Sequence, residues 1–417
     1  MTFGRQPSAS AAPVAASWAD WLVVGIGFFA LALGFSARSV IGLAMPLIEQ
    51  ELHWSRTVVS DGAAWGLIVI AIMAPIAGNL VDRFGARMLL SVGLAAVGLG
   101  VIATSAVHTT WQFDLAYGGL AAVGFGMVAT HVVSTIVSQR FEAHRGLAVG
   151  IATSGSTAGQ LLVVPLLGHL LETTSWRSSY VALGLICLVL VPVVAILMRG
   201  SHRPRAVHAT SGDRLRERLR GILSSWTFHA LFWSYLICGF TSTGVIETHL
   251  LPYAELCGFP PVESGAAFGV LSAVNLAGMI LAGWLTDRMS RPLLLAIIYG
   301  ARGLTFILLA YIGSSTELLF AFAVIFGLFD YSTVPPTASL VASHLGLRVT
   351  GLTMGLLSSG HALGAAAGVF MAGRLFDLLG RYDWTWFASF GVAILAAFLA
   401  LTIREDRSGR LMPALAH

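Results

Sequence analysis

The stretch GNLVDRFGAR, residues 78–87, decides how this chain is read, because its first part occurs twice. GNLVDR at 78–83 returns as GWLTDR at 283–288, which maps Asp82 onto Asp287 across 205 positions. The same spacing aligns GLAVGIATSGSTAG (146–159) with GLTMGLLSSGHALG (351–364). The pairs Gly146/Gly351, Leu147/Leu352, Gly150/Gly355, Ser154/Ser359, Gly155/Gly360 and Gly159/Gly364 are identical. One constant offset through two separate motifs marks a duplicated chain whose halves share one design.

Composition sets the medium. Of the 417 residues, 56% are hydrophobic and 11% charged, against about 25% charged in soluble domains. So few charges cannot cover a water-facing surface, and lipid becomes the expected solvent. Twelve apolar runs approach the roughly 20 residues that a helix needs to cross a bilayer. They lie near 19–45, 58–81, 88–107, 113–138, 146–171, 178–199, 226–251, 264–286, 292–313, 316–340, 350–374 and 384–403. The expected fold is an all-α membrane protein: a tail (1–17), a six-helix bundle (18–199), a linker (200–225), a second six-helix bundle (226–404) and a second tail (405–417).

Arginine supplies every basic charge, and its placement orients the spans. The loops after even-numbered spans hold Arg83, Arg87, Arg140, Arg145, seven arginines from Arg199 to Arg220, Arg288, Arg291 and Arg348; the opposite loops hold Arg56, Arg177, Arg374 and Arg381. The positive-inside bias then places both termini in the cytoplasm. The net charge of +4 follows from this topology and points to no nucleic-acid partner. In the linker segment DRLRERLRGILSSW, Leu215, Leu219, Ile222 and Leu223 share a helical face, and Asp213 is placed to cap its start. The segment reads as a helix on the membrane surface, or else as a solvated basic linker. Cys187, Cys238 and Cys257 are too few and too scattered for a disulfide framework or a metal site.

Twelve spans, a long central loop and GNLVDRFGAR between spans two and three resemble the major facilitator superfamily over essentially the whole chain. Its signature, Gly-x-Leu-x-Asp-Arg-x-Gly-x-Arg, is met by Gly78, Leu80, Asp82, Arg83, Gly85 and Arg87; the second copy keeps Asp287 and Arg288 but has Ser290 in place of the last glycine. The resemblance implies two pseudo-symmetric halves working by alternating access, with this loop as a cytoplasmic latch and spans one, four, seven and ten lining a cavity. GFSARSVIGLAMPLIEQELHWSR, RGLAVGIATSGSTAGQ and TTSWRSSYVALG look like bacterial relatives of the monocarboxylate transporters. That group often carries Asp and Arg four apart in span eight, implied to handle proton and carboxylate. Here AVNLAGMILAG offers Asn275 and Met279 instead.

Ionisable residues inside a membrane are functional candidates by default. Arg38 (span one), His131 (four), Glu247 and His249 (seven), Arg302 (nine), Asp330 (ten) and His361 (eleven) make up the set. Arg38 can snorkel to the interface, pair with Glu247 or Asp61, or bind an anionic substrate through the parallel hydrogen bonds a guanidinium offers a carboxylate. The missing span-eight arginine favours the last. Arg302 and Asp330 are expected either to form a buried ion pair or to leave Asp330 free to exchange partners or take a proton. Pro335 and Pro336 lack the N–H groups that would bond four residues back, which frees the carbonyls of Tyr331 and Ser332 beside Asp330. His361 can carry a proton or stay neutral in a helix contact.

Substrate contacts are therefore expected at Arg38, His131, Tyr331 and Asn275, and proton coupling at Asp330 and His361. The gate is expected at Gly78, Asp82, Arg83, Gly85, Arg87, Asp287 and Arg288. The function expected is proton-coupled symport of a small organic anion, a monocarboxylate first, by a monomer without cofactor or metal. The alternatives are proton-driven efflux of apolar or cationic compounds, which the absence of a Gly-Pro pair in span five disfavours, and a non-transporting receptor or scaffold. No nucleophile–base pair, metal cluster or phosphate loop supports an enzyme.

Overall fold

The computed structural model describes residues 17–54, 56–199 and 215–405, and their regular structure is helical throughout. The first half contains α1 (Trp18–Leu52), α2 (Arg56–Ser105), α3 (Thr110–Phe113), α4 (Ala122–Met127), α5 (Thr130–Ser138), α6 (Arg145–Thr173) and α7 (Trp176–Leu197). A short α8 (Leu215–Leu223) follows. The second half contains α9 (Trp226–Gly239), α10 (Glu247–Leu256), α11 (Pro261–Thr286), α12 (Arg291–Ala310), α13 (Thr316–Phe329), α14 (Val334–His344), α15 (Thr350–Leu379) and α16 (Asp383–Leu401). The proposed cap Asp213 and most of both proposed tails lie outside the described residues.

Ten stretches among the described residues are long and apolar enough to cross a bilayer. One of them, 45 residues long, is interrupted at Gly85, whose φ of 78° and ψ of 173° suit glycine alone. It is two crossings joined by the signature loop. Trp226–Leu256, built of α9, a π-helical turn at Phe240–Ile246 and α10, is a further apolar stretch outside that count. The arrangement fits twelve crossings.

Local chemistry sets several boundaries. Ser17 and Asp20 form a capping box at the start of α1, each side chain accepting from the other's N–H. Ser175 and Ser315 cap α7 and α13 in the same way as N-caps. Two breaks lie at one register of the repeat. The fourth span parts at Val128–Ala129, and the tenth at Tyr331–Thr333, where a 3₁₀ turn leads into α14 with prolines in its first turn.

Helix packing within each half uses small residues. Gly155 and Gly159 of α6 lie on the carbonyls of Phe28 and Ala32 of α1; Gly364 and Gly368 of α15 lie on those of Leu236 and Phe240. The distribution of core residues is more informative. One cluster draws on both halves, including Val81, Leu90, Val133 and Val149 from the first and Tyr235, Tyr299, Val341 and Leu357 from the second. These residues lie toward the end of the bundle that carries the signature loop. At the opposite end each half has a separate core, around Phe113 and Tyr180 in the first and around Phe322 and Trp386 in the second. The halves are thus closed together at one end and independent at the other.

At the independent end Glu51 gathers three elements of the first half. It accepts hydrogen bonds from Trp176 Nε1 at 2.5 Å and from Arg177 Nε at 2.7 Å, while Arg177 also donates to the carbonyls of Ser105 and Val107. The Arg177 hydrogen bond holds the Glu51 carboxyl below its ordinary value of 4.5. The resulting stabilisation is present above that value and is lost as pH falls through the depressed one. Because Glu51 is 45% exposed, Glu51→Gln is expected to destabilise the protein by only about 0.5–1 kcal/mol at neutral pH. Thermal melts should show this gap closing as pH falls below 4.5 and through the depressed value; a gap that persisted in acid would place the effect elsewhere.

Candidate functional site

At the closed end, two carboxylates each bridge the halves onto the start of a helix. Asp82, three residues before the Gly85 break, accepts the N–H groups of Gly351 (2.9 Å) and Leu352 (3.0 Å) in the first turn of α15. Asp287, just after α11, accepts those of Gly146 (2.7 Å) and Leu147 (2.9 Å) in the first turn of α6. First-turn N–H groups have no partner within their helix and sit at its positive end, so a carboxylate is their natural cap. All six residues are repeat mates at the same offset. The backbones come so close that a Cβ on Gly78 or Gly351 would collide with the other's carbonyl, and the same holds for Gly146 and Gly283.

The two latches are unequal. Asp82 also accepts from Gln139 Nε2 (3.0 Å) and Arg218 Nη2 (3.0 Å). Arg218, on α8, donates further to Asn79 Oδ1 (2.8 Å) and the Arg348 carbonyl (3.0 Å). The ion-pair partner of Asp82 is therefore Arg218, and neither Arg83 nor Arg87 reaches it. Arg288 lies over its own Trp284 ring at 4.0 Å, not on Asp287.

A second polar cluster lies inside the second half. Arg302 of α12 is fully buried. Its Nη1 donates to Ser242 Oγ (2.9 Å), Cys238 Sγ (3.2 Å) and the main-chain carbonyl of Asp330 (3.3 Å). The expected carboxylate pair with Asp330 is thus not formed: α13 ends at Asp330, which turns its carbonyl, not its carboxylate, toward the guanidinium. Asp330 is buried, and its Oδ1 has no hydrogen-bond partner among the described residues. The expected free carbonyl at Tyr331 is also revised, because the 3₁₀ turn gives it the Val334 N–H. Asn275 of α11 accepts the Tyr331 N–H at 3.3 Å. The Tyr331 hydroxyl donates to Glu247 Oε1 at 2.8 Å. His361 is half-buried, its ring 5.2 Å from that of Tyr235.

In the first half Arg38 is half-buried, with its guanidinium 5.9 Å from the Phe35 ring and no ion pair to Glu247, Asp61 or any other carboxylate among the described residues. Its carbonyl accepts the Tyr117 hydroxyl at 2.9 Å. His131 stands apart from it, buried, with Nε2 3.1 Å from the Ala74 carbonyl. A carbonyl only accepts, so that nitrogen carries the hydrogen and ties α5 to α2. Met279 is buried against α6, where its sulfur accepts from Thr157 Oγ1 at 3.8 Å. The structure thus gathers Asn275, Arg302, Asp330, Tyr331 and Glu247 into one set, with His361 reaching it through Cys238, and leaves Arg38 and His131 outside it.

The description "Major Facilitator Superfamily" belongs to the family model that matches residues 27–349 and 276–414. The chain belongs to the major facilitator superfamily. Its relatives include monocarboxylate transporter 11 of Homo sapiens, 28% identical over 93% of this chain and 83% of the relative. The MFS-type transporter YcxA of Bacillus subtilis (strain 168) is 27% identical over 87% and 90%. Similar solved folds include the E. coli fucose:proton symporter FucP (TM-score 0.72, 15% identity, 93% of this chain and 98% of that one) and the proton:xylose symporter XylE (0.71, 14%, 94% and 97%). As a major facilitator protein the chain is a multi-pass membrane transporter of two related halves, and the superfamily's signature loop is the Asp82 latch seen here. Sequence reasoning missed Asn79, Gln139 and Arg218. The signal for the latch acceptors was present, since the offset that pairs Asp82 with Asp287 also pairs Gly351 and Leu352 with Gly146 and Leu147.

Hydrogen bonds to a charged group contribute about 1.5–3 kcal/mol each. Asp82→Ala is therefore expected to speed amide hydrogen exchange at Gly351 and Leu352 by about tenfold or more, equivalent to ~1.4 kcal/mol, and Asp287→Ala to do so at Gly146 and Leu147. Unchanged exchange would mean that the carboxylates do not hold this end closed. Arg302→Met is expected to cost about 2–3 kcal/mol by loss of charge-assisted bonds, read as a lower melting temperature; a stability equal to the unsubstituted protein would contradict the cluster described above.

Proposed function

We propose that this protein is a secondary active transporter that carries a small organic anion, a monocarboxylate first among them, together with protons. The observation that carries this reading is an imbalance of partners between the halves. Among the described residues, Arg38 offers a guanidinium that meets no carboxylate, and Asp330 holds a buried carboxylate oxygen that meets no donor. A substrate carboxylate supplies what Arg38 lacks, with two parallel charge-assisted bonds. A proton supplies what Asp330 lacks. The likeness to relatives described as monocarboxylate transporters supports the substrate class, and the fold shared with two proton symporters supports the coupling.

In this reading the closed, arginine-rich end faces the cytoplasm of a bacterial inner membrane, both termini lie on that side, and the substrate enters from the other. Tyr331 and Asn275 shape the second half of the binding region through the broken tenth span. His131 acts as part of its wall. His361 shares the proton pathway with Asp330. The functional unit is the monomer. Broken helices near the midplane are a recurring place for substrate and ion sites in transporters.

Reconstitution tests this directly. Proteoliposomes under an inward proton gradient are expected to accumulate a labelled short monocarboxylate, and Arg38→Gln to reduce uptake by about tenfold or more, the loss of a charged hydrogen-bonding partner. Absence of uptake for every carboxylate tried would refute the substrate class, and full uptake in the variant would remove Arg38 from the site. Asp330→Asn is expected to uncouple uptake from the gradient while leaving exchange of labelled for unlabelled substrate. Gradient-driven uptake retained in both Asp330→Asn and His361→Gln would rule out both as proton carriers.

A further inference from the structure

The helix α8 has two dissimilar sides. At about 100° per residue, Arg218 and Ile222 share one side, Leu215, Leu219 and Leu223 form the adjoining stripe, and Arg216 and Arg220 border that stripe. The first side is docked. Ile222 is buried in the core shared by the two halves, and Arg218 joins Asn79 and Asp82 of the first half to the Arg348 carbonyl of the second. The second side is open. Leu215 and Leu223 are exposed, Leu219 between them is half-buried with part of its surface on the shared core, and with Arg216, Arg220 and Ser224 they line a shallow depression. Neither Arg216 nor Arg220 has a carboxylate partner among the described residues. The one acid of the helix, Glu217, falls beyond Arg220, on the side away from the leucines.

An apolar strip bordered by two guanidinium groups, at the end of a membrane bundle, matches one chemistry. An acyl chain lies along the leucines and an anionic phosphate meets the arginines. We propose that α8 is a lipid-operated clamp: an anionic phospholipid seated on Leu215, Leu219 and Leu223 and held by Arg216 and Arg220 keeps Arg218 on Asp82, and thereby keeps the two halves together at this end. A helix of this length is marginal alone, so what covers its open side sets how long its docked side stays in place. The coupling is reciprocal: lipid favours the docked helix, and the docked helix presents the lipid site. The clamp acts on the closed end and is independent of which solute is carried.

The test uses the full chain in nanodiscs of phosphatidylcholine alone or of phosphatidylcholine with phosphatidylglycerol. The readout is hydrogen exchange at the Gly351 and Leu352 amides, which donate to Asp82. Exchange is expected to be slower with phosphatidylglycerol by about fivefold, the low end of allosteric couplings. The double variant Arg216→Gln/Arg220→Gln should lose this lipid dependence, and Arg216→Lys/Arg220→Lys should keep it. Arg218→Gln should exchange fast in both lipids. Equal exchange in the two nanodiscs, or a lipid effect that survives in the glutamine double variant, would overturn the proposal.

Discussion

A carboxylate from one half capping the first turn of a helix in the other is the polar contact that joins the halves at their closed end, beside an apolar core drawn from both. It satisfies N–H groups that a helix cannot satisfy itself, and it does so across the boundary along which the halves must part. Both features come from ordinary backbone chemistry. The helix start supplies donors and partial positive charge, and glycine at Gly78, Gly146, Gly283 and Gly351 removes the side chains that would hold the backbones apart. Because the contact is polar and has few members, it can be replaced by water when the end opens. A purely apolar seam of the same area would offer no such exchange.

Much of the fold was legible because lipid imposes a simple code. Apolar runs, arginine-bearing turns and one constant offset were enough to mark the spans and the duplication. The latch aspartates were legible too, since Asp82 and Asp287 stand in the motif itself. What escaped was the set of groups gathered around Asp82: Gln139 from just after α5, Arg218 from a linker whose arginines all look alike in sequence, and Asn79 from the turn before, which holds Arg218. Only the docking of Ile222 distinguishes Arg218 from its neighbours. The Arg302–Asp330 pair was misjudged for a related reason. Two opposite charges near one depth suggest a bond, but the tenth span ends a helix at Asp330, and the local turn presents the carbonyl.

The polar interior of the second half shows a buried cation hydrogen-bonded to neutral groups beside a buried carboxylate. Arg302 is accommodated by a serine hydroxyl, a thiol and a carbonyl, with the face of Tyr299 5.2 Å away. Neutral acceptors spread the cost of desolvation and leave the nearby carboxylate outside any fixed pairing. Asn275 contributes by accepting the Tyr331 N–H, which stabilises the break in the tenth span. That bond links α11 to the turn after α13, so the eighth and tenth spans share a hinge point.

The inequality of the two latches gives the closed end a handedness. Along α2 and α15 the joint is secured by Asp82 with four donors and a bridging arginine; along α6 and α11 it rests on two N–H groups. A seam fastened more firmly on one flank parts at the other first, and the stronger flank then serves as the pivot. Two halves that share motifs at one constant offset therefore need not be fastened symmetrically. The bias comes from two added donors on Asp82, Gln139 and Arg218.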